Sequence, residues 1–146
     1  MVVSQYGDFM ISLPQILHAI SDKKSLELFK IISLSDQGRD SLSSKSKLTR
    51  KQFYSRLSGL RKAGLVKRRN GKYSLTSFGK VVYSTEKVLE NALDSYWKLK
   101  VVDSLEEWEQ QEEWSKIIDT LIDNFQLKEI ILSSRSKHRS STEKYN

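Results

Sequence analysis

The chain has 146 residues, with 25 Lys and Arg against 18 Asp and Glu, a net charge of +7 and no cysteine. That length suits one domain, or one domain with a helical appendage, and it can bury a real core. The lack of Cys excludes a disulfide scaffold, a thiolate zinc site and a cysteine nucleophile, and no apolar run approaches the ~20 residues of a membrane span.

Charge is distributed unevenly. Residues 41–85 hold twelve basic side chains and no carboxylate, whereas 86–129 hold five basic and twelve acidic ones. Residues 1–40 hold four basic against five acidic, and 130–146 hold four against one. A 45-residue block without a carboxylate repels itself unless it meets a polyanion, of which a phosphate backbone is the commonest. The bland alternative is a basic surface kept for solubility, but solubility does not require excluding every Asp and Glu.

In chain order, Met1–Ile20 is apolar and irregular, with Pro14 placed to open a short helix over 14–20. Residues 1–22 contain no Lys or Arg, which argues against a basic secretory leader. Leu26, Leu28, Phe29, Ile31 and Ile32 predict an amphipathic helix over 22–33, ended by the turn residues Ser35-Asp36-Gln37-Gly38. Residues 39–47 are Ser-rich with one internal Leu, and predict a short, weakly specified helix.

Thr49-Arg50-Lys51-Gln52 has the form of a capping box, and Phe53, Leu57 and Leu60 give the following helix one apolar face, closed by Ala63-Gly64. Asn70-Gly71, flanked by Leu65–Arg69 and Lys72–Leu75, is a strong hairpin signal. A two-residue turn there sets Arg69 opposite Lys72, Arg68 opposite Tyr73, Lys67 opposite Ser74 and Val66 opposite Leu75. Like charges opposed in that way are destabilising, which suggests that an external anion neutralises the face carrying Lys67, Arg69 and Lys72.

Beyond Thr76 the apolar pattern predicts one long helix over 77–102 with a stripe broad enough for two neighbours. Ser104-Leu105-Glu106-Glu107 reads as a second capping box, opening a final helical region whose apolar face is Trp114, Ile117, Ile118, Leu121, Ile122 and Phe125. Glu106, Glu107, Glu109, Glu112 and Glu113 crowd its first turns, where the helix dipole favours acids. They lack an accompanying His, so a solvated face is favoured over a metal site. A pause is expected at Asp123-Asn124, and the Ser- and Lys/Arg-rich residues 133–146 are expected to be disordered.

The resulting fold class is mainly α with a small β-hairpin wing: a winged helix-turn-helix with a C-terminal helical extension. The run Leu48–Leu57, continued by Leu60–Arg68 and by Lys72–Lys80, resembles an archaeal winged-helix transcriptional regulator, and its exits into and out of the wing are similar to those of MarR-like and ArsR-like repressors. The organisation expected is an N-terminal arm and short helix over 1–21, a DNA-binding domain over 22–83, a helical dimerisation region over 84–132 and a basic tail over 133–146.

The resemblance implies that the helix over 49–63 enters the major groove of double-stranded DNA and that the wing over 65–75 lies on the backbone or minor groove. Thr49, Arg50, Lys51, Tyr54, Ser55 and Ser58 would face base edges or nearby phosphates. Arg56, Arg61 and Lys62 would touch phosphate or form the flank, and Lys67, Arg69 and Lys72 would serve from the wing. A homodimer through the C-terminal helices, no cofactor, no metal and no membrane partner are expected. So is a cytoplasmic, nucleoid-associated location. The competing readings are a winged helix that holds proteins or chromatin together without sequence preference, and an enzyme. Against the latter, no phosphate loop, nucleophile motif or carboxylate–histidine constellation is present.

Overall fold

A computed structural model describes residues 10–105 and 111–142, apart from the side chains of 111 and 136–142. Two compact units divide the chain at Ser84 and Thr85.

The first unit begins with α1 (Leu13–Ala19), whose Pro14 sits in the first turn behind the Ser12 cap. Helix α2 (Lys23–Leu34) is capped by Asp22 and buries Leu28, Phe29 and Ile32. Next come β1 (Gln37–Gly38), α3 (Arg39–Ser46) and α4 (Arg50–Lys62). The hairpin β2 (Val66–Arg69) and β3 (Lys72–Leu75) follows, then α5 (Ser77–Asp94). Leu42 anchors α3, while Phe53, Leu57 and Leu60 of α4 and Leu65, Val66, Tyr73 and Leu75 of the wing complete one core. The α3–α4 turn is made by Lys47 in the left-handed region at φ 53°.

The hairpin register is the one its two-residue turn requires: Val66 pairs with Leu75, Lys67 with Ser74, Arg68 with Tyr73 and Arg69 with Lys72. Asn70 and Gly71 carry φ of 52° and 72°, as a type I′ turn demands. The wing has a third strand, however. Gln37, expected in a helix-ending turn, pairs with Tyr73 at the far edge of β3, giving the sheet order β1-β3-β2. A buried Gln is tolerated there because its Nε2 donates to the Ile31 carbonyl at 3.1 Å and its Oε1 accepts from Ser41 at 3.2 Å. Two residues are too short to show strand alternation.

The join between wing and α5 is tight. The Thr76 hydroxyl donates to the Gly64 carbonyl and accepts the Gly79 N–H at 2.8 Å. A Cβ on Gly79 would lie 2.0 Å from the Leu65 carbonyl oxygen, so only glycine fits.

In the second unit the long helix expected over 77–102 is interrupted at Ser95 and continues as α6 (Tyr96–Leu105). Asp94 and Ser95 are weak helix formers, though the Ser95 N–H still reaches the Asn91 carbonyl at 3.1 Å. Ser104 does not cap a helix. It lies in the last turn of α6 and donates to the Lys100 carbonyl at 3.1 Å. Glu107, the partner that box would give it, lies outside the described residues, as do Glu106, Trp108 and Glu109.

Helix α7 (Gln111–Leu121) carries Glu112 and Glu113 in its first turn, and α8 (Phe125–Thr142) starts behind Asn124, whose Oδ1 accepts the Leu127 N–H at 3.1 Å. Val102, Trp114, Ile118, Ile122 and Leu127 form the core of this unit. Phe125 is exposed and Leu127 takes the place expected for it. The tail expected to be disordered from Ser133 is helical through Thr142, since no Gly or Pro interrupts a run of residues that tolerate helix. Residues 143–146 and the arm 1–9 lie outside the described residues.

Candidate nucleic-acid interface

Helix α4 turns an apolar face to the core and a polar one to solvent. Phe53, Leu57 and Leu60 turn inward, and Arg50, Lys51, Tyr54, Ser55, Ser58, Arg61 and Lys62 are left exposed on the remaining faces. Its start is fixed by reciprocal bonds: the Thr49 hydroxyl accepts the Gln52 N–H at 3.3 Å, and Gln52 Oε1 accepts the Thr49 N–H at 3.4 Å. Gln52 Oε1 also accepts from Lys24 Nζ at 3.3 Å. Arg50 lies 6.0 Å from the centre of the Tyr54 ring, which is set edge-on to Phe53 at 5.5 Å.

The wing presents a second cationic surface. Lys67, Arg69 and Lys72 are exposed, while Val66, Tyr73 and Leu75 are buried. Arg68 leans over Tyr73 with its guanidinium 5.7 Å from the ring centre. None of Arg50, Lys51, Arg61, Lys62, Lys67, Arg69 and Lys72 forms an ion pair with a described residue.

Two of the twelve residues singled out from sequence are otherwise engaged. The Thr49 hydroxyl is held in the cap. Arg56 is drawn back to α2, where its Nε meets Asp22 Oδ1 at 3.2 Å and only 25% of its side chain is exposed. Asp22 in turn accepts bonds from the Ser25 hydroxyl and N–H. The Ser25 hydroxyl above all, with Arg56 adding to it, holds the Asp22 carboxyl down at about 2.

Sequence reasoning passed over two further cations, one beside α4 and one in a groove alongside the wing. Arg39, at the start of α3, joins Arg50 and Tyr54 around a small polar hollow of about 380 Å³ that also holds Asp40. The Asp40 carboxylate 3.3 Å away, with Tyr54 beside it, raises the Arg39 pKa above its ordinary value. Lys80, on the first turns of α5, faces the wing groove with Lys67, Arg69 and Lys72. Lys80 belongs to the basic block, and a contact to the wing could have been sought from the short link that joins the two. Arg39 had no such signal.

The second unit offers a different surface. Leu89, Leu93, Tyr96, Trp97 and Val101 are all exposed on α5 and α6, with Trp97 at 78% and Leu93 at 71%. The Tyr96 and Trp97 rings stand edge-on at 5.3 Å. Among the described residues no group of three His, Asp or Glu side chains could hold a metal ion, and no helix is long and apolar enough to cross a membrane. His18 is exposed in the last turn of α1, and the side chain of His138 lies outside the described residues.

The order α2, α3, α4, hairpin, with a short strand before α3 completing the sheet, defines a winged helix-turn-helix fold. No protein-family model matches the chain, and no curated protein matches it. A solved structure similar to it is an ArsR-like transcriptional regulator from Rhodococcus sp. RHA1. That structure shares 22% identity and covers 67% of this chain and 93% of its own, with a TM-score of 0.44.

Proposed function

We propose that this protein is a DNA-binding transcriptional regulator that inserts α4 into the major groove and rests its wing on the backbone or minor groove. The observation that carries this reading is the exposed face of α4, where Arg50, Lys51, Arg61 and Lys62 surround Tyr54, Ser55 and Ser58 with no carboxylate on the helix. Arg and Ser side chains on such a face can read base edges, and the lysines can neutralise phosphate. The wing cations Lys67, Arg69 and Lys72 extend the same charge.

On this reading the exposed apolar stripe of Leu89, Leu93, Tyr96, Trp97 and Val101 pairs two copies. A dimer engages two half-sites about one helical turn, ~10 bp, apart. The protein then works in the cytoplasm at the nucleoid, without a cofactor.

The test is selection of bound duplexes from a random library, followed by anisotropy titrations on the selected and a scrambled duplex at fixed salt. Enrichment of one palindromic site, with affinity lost in Arg50→Ala, is the expected outcome. Equal affinity for both duplexes would replace the regulator with a sequence-indifferent winged-helix module.

A further inference from the structure

The outer face of the wing forms one wall of an open groove of about 710 Å³, closed by the end of α2 and the first turns of α5. That volume falls within the range of small-molecule sites. Four cations from three elements converge on it, Lys67 and Arg69 of β2, Lys72 of β3 and Lys80 of α5. None of the four forms an ion pair with a described residue. Arg69 and Lys72 are direct cross-strand partners, a placement that costs stability unless an anion lies between them. A concavity lined by one sign of charge focuses its field, and an anion entering it gains charge-assisted hydrogen bonds.

One lining residue opposes the others, and it narrows the choice of ligand. Asp36 contributes a carboxylate to the wall, and Ser74, opposite Lys67 in the register, contributes a hydroxyl. A continuous phosphate backbone running through the groove would meet Asp36 with repulsion. A small molecule with phosphate at one end and hydroxyl or amino groups at the other would satisfy both kinds of lining, donating to Asp36 and accepting from the cations.

We infer that this groove binds a small phosphorylated organic molecule, and that its occupation withdraws Lys67, Arg69 and Lys72 from DNA. The binding stands on the groove alone, and the antagonism rests on the DNA-binding reading above. Lys80 is the discriminating residue, because it lines the groove and stands outside the proposed DNA surface.

The experiment is calorimetric titration of the full chain, free of DNA and at low salt, with adenosine 5′-monophosphate, glucose 6-phosphate and inorganic pyrophosphate. At least one organic phosphate is expected to bind saturably and more tightly than pyrophosphate, with affinity falling about tenfold in Lys80→Ala, equivalent to ~1.4 kcal/mol, and retained in Lys80→Arg. Asp36→Asn should erase the advantage over pyrophosphate. The same ligand should weaken DNA binding by the wild-type chain, while Lys80→Ala without ligand binds DNA normally. Failure of both organic phosphates to bind, or binding unchanged by Lys80→Ala, overturns the inference. A chain that binds DNA but neither organic phosphate sinks only the groove. One that binds a phosphate but no DNA sinks only the regulator.

Discussion

Arg56 and Asp22 stand 34 positions apart and meet at 3.2 Å, joining the middle of α4 to the cap of α2. The contact takes from the polar side of α4 an arginine that its sequence position would assign to phosphate, and uses it to fix one helix against another. Arg56→Ala should therefore lower stability by roughly 0.5–1 kcal/mol, the scale of a partly exposed ion pair, in a urea unfolding curve. It should leave the salt dependence of DNA binding unchanged, whereas Arg50→Ala should reduce that slope by about 1. Equal slopes for the two variants would return Arg56 to the interface.

Asp22, held chiefly by the Ser25 hydroxyl and then by Arg56, also sets an acid limit. The Asp22 carboxyl titrates at about 2 in the folded chain, below the ~3.9 of an unfolded Asp, so folding favours its ionised form. Its stabilisation is complete above the unfolded value and is lost as pH falls toward the folded one. Asn keeps the cap but not the charge. Wild type should thus unfold at a higher temperature than Asp22→Asn at pH 6, and the gap should close as pH falls from ~4 toward 2. A gap that persists unchanged at the acid end would show that the charge is not its source.

Two glycines should respond in opposite directions. Gly79→Ala drives a methyl to within 2.0 Å of the Leu65 carbonyl oxygen and should cost about 1–3 kcal/mol, the range of an overpacked site. Gly59 lies inside α4 with open space around its missing Cβ, so Gly59→Ala should stabilise the chain by roughly 0.5–1 kcal/mol. Thermal unfolding by circular dichroism reads both.

The wing offers a substitution whose effects on folding and binding diverge. Lys72→Glu places an acid opposite Arg69 and should stabilise the hairpin by about 0.2–1 kcal/mol. The same change should weaken DNA binding, because a phosphate contact becomes a repulsion. Improved stability with undiminished affinity would remove Lys72 from the proposed surface.

For the second unit, Leu93→Glu and Trp97→Glu alter side chains that are already exposed in the single chain. Each should leave helix content intact and shift sedimentation from dimer to monomer. A wild-type chain that sediments as a monomer at all concentrations would overturn the proposed pairing.

The local chemistry of the first unit was readable because it depends on neighbours in sequence. The Thr49 cap, the Gly64 exit and the Asn70-Gly71 turn each dictate their own geometry within a few residues, and the hairpin register follows from the turn. What escaped was long-range or too short to carry a pattern. Gln37 belongs to a two-residue strand whose partner lies 36 positions away, and Arg56 has an attachment to Asp22 that no periodicity signals. In the second unit, the apolar pattern located a core but could not register a break at one residue, Ser95, or tell buried Leu127 from exposed Phe125. The same reasoning located the basic face of α4 but not Arg39 beside it, nor Lys80 in the wing groove, since only the packing of α3 and α5 sets those positions.

The strand order β1-β3-β2 leaves the outer side of β2 without a strand partner among the described residues. An open strand edge is a template on which another chain can add, and its commonest protection is a row of charge. Lys67, Arg68 and Arg69 supply that row. Their mutual repulsion discourages a second β2 from docking alongside, so the cations proposed to meet anions also work against polymerisation. Stripping them to silence binding would expose the chain to aggregation.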